Sequence, residues 1–156
     1  MEKVLKIFSY LPNPRVWKAV IAGNICEVSV EVIGDKPKQL GKWLWDSNPR
    51  ELEEEEMSED SPHIRVGKRG FSGALYKTDD FLKAHPFGTV PAAFSPEGNL
   101  GVFESNSILR AVARAGNHST LYGSNNYEAS RIDSYLDAGL VFAIEAQVYL
   151  LEIETL

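Results

Sequence analysis

The hydrophobic and polar positions of the chain change period several times, and each change marks an element. Val4 to Tyr10 is rich in β-branched and aromatic residues at alternating positions, the pattern of a strand, and Leu11-Pro12-Asn13-Pro14 stops it. Asn13 is a good N-cap and Pro14 suits the first helical position, so a helix follows in which Val16, Trp17, Val20 and Ile21 share a face until Gly23. Cys26 to Ile33 alternates again, predicting a second strand with one buried face and with Cys26 inside it. Thr78 caps a short helix, Asp79 to Ala84, that turns Phe81 and Leu82 inward, and Pro86-Phe87-Gly88 is a turn. Thr89 to Phe94 and Leu100 to Phe103 read as short strands joined through Pro96 and Gly98 into an antiparallel hairpin. Ser105 then reads as the N-cap of a helix with Ile108, Leu109, Val112 and Ala113 at helical spacing up to Gly116.

Two stretches depart from this regularity. From Gly34 to Tyr76 the periodicity degrades: Trp43-Leu44-Trp45 is followed by Pro49, the acidic run Glu51 to Glu56, Glu59-Asp60, and then Arg65, Lys68 and Arg69. Residues 34–76 read as an exposed acidic insertion anchored on the body by Trp43 and Trp45. Its like charges are either a solvated face, the commoner role of such runs, or a docking surface for a basic partner. After a polar linker at 117–126, Tyr127 to Glu154 repeats apolar residues at three- and four-residue intervals, including Ile132, Tyr135, Leu136, Leu140, Ile144, Val148 and Leu151. A lone amphipathic helix cannot bury such a face, so 127–156 reads as the first helix of an incomplete all-α domain. The order β-α-β, then α-β-β-α, predicts an α/β fold with a thioredoxin-like sheet and helices on both faces, in a domain spanning 1–116.

Composition narrows the function. With 156 residues, 44% hydrophobic and 10% aromatic, the chain has an ordinary globular make-up. A formal net charge of −6 without a basic stripe argues against nucleic acid as a partner. Cys26, the only cysteine, has no internal disulfide partner, and with the scattered His63, His85 and His118 it makes no metal-ligand cluster. The start lacks a signal-like apolar run, and the apolar stretch Ala138 to Leu151 is interrupted by Glu145 and Gln147, so no membrane span is expected. The expectation is a reduced, metal-free, cytoplasmic protein.

Two short elements could carry chemistry. At Val90-Pro91 a cis proline would expose the Val90 backbone for pairing with an extended, peptide-like ligand, and an ordinary trans proline at a strand edge is the equal alternative. Glu104-Ser105 lies where a strand meets a helix, a place at which free N–H groups and the helix dipole attract a carboxylate. Ser105 either caps that helix, the commoner role, or bonds a ligand carboxylate, while Glu104 could receive an ammonium group. Both elements together describe a site for a small peptide with free α-amino and α-carboxyl ends.

The segment Leu82 to Ala115, with His85-Pro86-Phe87-Gly88-Thr89-Val90-Pro91, Phe103-Glu104-Ser105-Asn106 and Ile108-Leu109-Arg110, resembles the glutathione-binding half of glutathione transferases. The family pattern is roughly N-P-x-G-x-V-P followed by E-S-x-A-I, and His85 and Thr89 depart from it where the family often has Asn and Lys. The stretch Phe8 to Ala19 is similar to the gamma subunit of the eukaryotic translation elongation factor one complex, whose N-terminal region resembles theta-type transferases. Tyr127 onwards resembles the first helix of the family's helical domain. The resemblance implies that Val90, Pro91, Glu104 and Ser105 hold glutathione, the co-substrate whose thiolate is conjugated to a small electrophile.

It also implies a group at the first strand–helix junction that acts on the glutathione sulfur: Tyr10 first, with Ser9 and the amide of Asn13 behind it. A phenol donating to a thiolate contributes about 1.5–3 kcal/mol, and each pKa unit needs about 1.4 kcal/mol, so one donor is adequate. The structural alternative is that Tyr10 simply ends a strand against the core. Cys26, inside the second strand, lies away from the thiol position, which disfavours exchange chemistry of the CxxC kind. Where the fold serves assembly instead, the expected role is a non-catalytic module and the expected partners are elongation-factor subunits or a second copy.

Overall fold

The computed structural model describes residues 1–66, 73–116, 118 and 120–154, with side chains through 148. Lys68 and Arg69, which end the charged stretch read from the sequence, lie outside the described residues. The first strand, β1 (Lys3–Tyr10), is followed by α1 (Pro14–Ile25) and β2 (Ser29–Asp35), which runs parallel to β1. Then come β3 (Trp43–Trp45), β4 (Arg50–Glu51), β5 (Ile64–Val66) and β6 (Ala74–Lys77), with one 3-10 turn before β3 and another at Glu54–Glu56. The chain continues through α2 (Asp79–Ala84), β7 (Ala92–Phe94), β8 (Gly101–Val102), α3 (Ser105–Ala115) and the long α4 (Asn126–Glu154). Two four-stranded sheets result, ordered β2-β1-β7-β8 and β4-β3-β6-β5.

Strand alternation divides the core between the two faces of the first sheet. Leu5 and Ile7 of β1 and Ala93 of β7 pack with Val16, Ala19 and Ala22 of α1 and Ile108 and Val112 of α3. Phe8, Ala92 and Phe94 point the other way, onto Leu40, Trp45, Leu75 and Phe81. The second layer is aromatic: Trp45 meets Phe8 and Phe81 edge-on at centroid distances of 5.5 and 5.8 Å, and its indole N–H donates to the Leu40 carbonyl at 3.0 Å. Each such side chain contributes about 1.5–3 kcal/mol by burial, with ring geometry adding to it.

The structure corrects the sequence reading at several points. Helix α1 does not stop at Gly23 but continues to Ile25, with Cys26 as its C-cap instead of a strand residue. Gly23 is buried because α1 lies close on the sheet there: a Cβ would come within 3.1 Å of both the Val28 carbonyl oxygen and Val30. The buried face of α1 is Val16, Ala19, Ala22 and Gly23, whereas Trp17 and Ile21 are 51% and 58% exposed. Cys26 is buried against Gly116 at the end of α3, where a Cβ would fall 2.1 Å from that of Cys26, so only glycine lets the two helix ends meet.

Residues 34–76 are not a purely exposed insertion. Gly34 belongs to β2, and the remainder supplies the second sheet and the buried Leu40, Trp45, Leu75 and Tyr76. Strands of two to four residues leave too little alternation to be seen as strands in the sequence. The anchoring role of the tryptophans is as expected, with Trp43 also 5.9 Å from Phe8. Helix α2 is capped by Thr78, whose oxygen accepts from the Phe81 N–H at 3.0 Å.

Candidate functional site

The registers of the first sheet gather the sequence-predicted residues at one end. Strand β1 pairs antiparallel with β7 through Ile7 with Ala93 and Phe8 with Ala92, so continuing that register places Pro91 beside Ser9 and Val90 beside Tyr10. Strand β7 pairs with β8 through Ala93 with Val102, and the same continuation brings Glu104 and Ser105 past the end of β8 to the level of Pro91 and Val90. The N-terminus of α1 opens there as well.

The Val90–Pro91 peptide is cis, the first of the two alternatives that the sequence left open. At the neighbouring junction Glu104, not Ser105, is the N-cap of α3, with φ of 66°, and its side chain makes no cap hydrogen bond. Ser105 is the first helical residue and is buried. A non-glycine residue held at positive φ is strained, and it sits where the dipole of an 11-residue helix points its positive end.

Ser9 and Asn13 are bonded to each other. Both are buried; the Asn13 amide donates to Ser9 Oγ at 3.0 Å while its carbonyl oxygen accepts from the Arg15 N–H at 3.0 Å. They form the N-cap of α1. Tyr10 ends β1 opposite Asp35 and packs partly buried against the aromatic layer.

Two lysines that sequence reasoning passed over flank this end. Lys77 of β6 is buried, donates to the Gly88 carbonyl at 2.7 Å and lies 4.6 Å from the centre of the Trp45 ring. Burial lowers its pKa, with Arg65 adding to the effect, and among the described residues no carboxylate pairs with it. Lys18 of α1 donates to Asn106 in the first turn of α3, and burial, then Arg15 and Arg110, lowers its pKa, while Glu104 opposes them. In the sequence both are single lysines in helix or strand patterns, with no signal beyond an apolar neighbourhood that should not hold a charge.

His85 stands where α2 ends, just before the turn that leads to Val90. It is 1% exposed, lies 5.2 Å from Phe81 and 4.7 Å from Phe94, and neither ring nitrogen reaches a hydrogen-bond partner. Burial holds its pKa below the ordinary histidine value, and the nearby Ala93 backbone offsets only part of that penalty. Clefts of about 600, 610 and 310 Å³ are lined by residues other than Val90, Pro91, Glu104 and Ser105. Among the described residues no group of three His, Cys, Asp or Glu side chains is placed to hold a metal, and no helix is long and apolar enough to cross a membrane.

Comparison with solved structures decides the fold. A Bombyx mori glutathione transferase in complex with GTT superposes with a TM-score of 0.54 over 88% of this chain and 48% of that one, at 18% identity. The fold is of the glutathione transferase type. In sequence, the chain is similar to elongation factor 1-gamma 3 of Oryza sativa subsp. japonica, 45% identical over 74 residues, which is 47% of this chain and 17% of that protein. It is likewise similar to a probable elongation factor 1-gamma 1 of Arabidopsis thaliana, 43% identical over 65 residues, or 42% of this chain and 15% of that one. The glutathione-transferase-type domain here thus has an elongation factor 1-gamma-like sequence, and the chain spans less than a fifth of the curated relatives it matches. No protein-family model matches it.

Proposed function

We propose that this domain binds glutathione at the end of its first sheet, as part of a glutathione transferase-like protein. The observation that carries the reading is the meeting, at one sheet end, of the Val90–Pro91 edge that leads into β7 and a positive-φ Glu104 opening α3. The first presents a strand edge to a peptide backbone, and the second presents a helix N-terminus to a carboxylate. Glu104 then receives the ligand's ammonium group, Ser105 its α-carboxylate, and Lys77 supplies a positive potential behind the Gly88 to Val90 segment.

In the transferase reading Tyr10 donates to the sulfur. Ser9 and the amide of Asn13 stand behind it, the Asn13 amide already donating to Ser9 Oγ. The thiolate would attack a small electrophile held by helices beyond α4, with proximity contributing as much as activation. The likeness to elongation factor 1-gamma over 74 residues favours a second reading, a non-catalytic module that associates with elongation-factor subunits. Calorimetric titration of the monodisperse chain with reduced glutathione, paired with an ultraviolet scan for thiolate, separates the two. Saturable binding with thiolate absorbance supports the first; a folded chain that binds no glutathione leaves the second.

A further inference from the structure

The second sheet carries a groove that the glutathione reading does not use. It has a volume of about 310 Å³, and its lining joins Leu44, Leu52 and Tyr76 with Arg50, Glu55, Glu56, Asp60 and His63. This is the small end of the range for ligand sites, room for one or two side chains instead of a whole cofactor. Its surroundings are strongly acidic: Asp46 to Asp60 holds eight carboxylates and one cation, Arg50.

That cation is already committed. Arg50 forms a two-pronged pair with Glu56 at 2.6 and 2.8 Å, which holds the Glu56 carboxyl down to about 2. Glu53 and Glu56 are further tied into a reciprocal capping box around the 3-10 turn. These bonds fix the shape of the acidic turn but leave Glu55 and Asp60, both exposed, with no ion pair among the described residues. Apolar side chains and two carboxylates without an ion pair among the described residues therefore share one groove. Such a surface steers and selects a positively charged partner and repels nucleic acid and anionic lipid.

We propose that this groove docks a basic peptide segment of a partner protein, one apolar side chain meeting Leu44, Leu52 and Tyr76 while flanking lysines or arginines meet Glu55 and Asp60. A long cationic side chain suits both demands, because its stem packs on apolar surface while its head stays at the carboxylates.

The test is fluorescence anisotropy of a labelled peptide of about seven lysines and arginines with a central leucine, titrated with the full chain across a salt series. Saturable binding that weakens with salt is expected, with amide shifts at Leu44, Leu52 and Tyr76. The double variant Glu55→Lys, Asp60→Lys, at exposed positions that leave the fold intact, should bind about tenfold or more weakly. Replacing the central leucine of the peptide by serine should also weaken binding. Unchanged affinity in the double variant overturns the proposal, as do amide shifts confined to other surfaces. Binding indifferent to the central residue overturns the groove and leaves only diffuse charge attraction.

Discussion

The first sheet holds its candidate chemistry in backbone conformation, whereas the second holds its candidate chemistry in side-chain charge. Around β1, β7 and β8 the site is placed by a positive φ at Glu104 and two continued registers. Around β3, β4 and β6 the strands are short, and what distinguishes the surface is the carboxylate run at 51–60. The two regions nevertheless share one core, since Phe8 of the first and Trp45 of the second are in edge contact. A change in that shared layer is felt by both sites, whereas a change at either surface stays local.

Trp45→Ala is the sharpest way to break this comparison. It removes the edge contacts with Phe8 and Phe81, the bond to the Leu40 carbonyl and the ring beneath Lys77. The expected loss is about 3–5 kcal/mol, read as a lower urea midpoint for the whole chain. Melting of the second sheet alone, with native hydrogen exchange in β1 and β7, would show two independent units instead of one core.

His85 tests the same layer with pH. Its folded pKa lies below the unfolded value, so the unfolded chain binds the proton more readily. Stability is therefore full above the ordinary histidine value of about 6.5 and falls as pH drops below it, by up to about 1.4 kcal/mol per pH unit, until the folded pKa is reached. His85→Asn should flatten that slope between about pH 5 and 7 in urea midpoints, and an unchanged slope would assign it to other groups.

These elements also show what could be read from the chain. The period-two runs of β1 and β2, the cap at Asn13 and Pro14, and the cap at Thr78 are local signals, and the structure has them at or near the expected residues. The outward face of α1 was misread because Trp17 and Ile21 are apolar, and apolar character alone does not say which stripe a tertiary contact covers. Gly23 was taken as a stop because glycine ends helices, while here it permits a close approach. Of the site, the Val90-Pro91 and Glu104-Ser105 elements were visible as motifs. Lys77 and Lys18 were not, since their significance is burial, which depends on residues distant in sequence.

Ser105→Ala and Tyr10→Phe sharpen the comparison within the first region. Ser105 is the side chain proposed to bond the ligand carboxylate, so losing its hydroxyl should cost about tenfold in glutathione affinity by calorimetry, equivalent to about 1.4 kcal/mol. Tyr10→Phe should change affinity less and act mainly on thiolate absorbance. Equal losses of affinity would contradict that division of roles.

The smallest expected effect concerns how α4 sits on α3. Arg110 of α3 pairs with Asp133 and Asp137 of α4, the Tyr122 hydroxyl donates to Asp133, and the Asn106 amide donates to the Leu136 carbonyl at 2.7 Å. The Asp133 carboxyl is held below its ordinary value, by the Tyr122 hydrogen bond first and Arg110 second. A depressed carboxyl stabilises the folded state above its unfolded pKa and loses that contribution as pH falls through the folded one. Asp133→Asn keeps an acceptor for Tyr122 but removes the charge that Arg110 meets. It should leave the urea midpoint almost unmoved at neutral pH yet speed amide exchange across residues 126–137, and the difference from the parent chain should shrink in acid. Equal exchange at every pH would mean that the Asn106 bond and apolar packing hold α4 without the ion pairs.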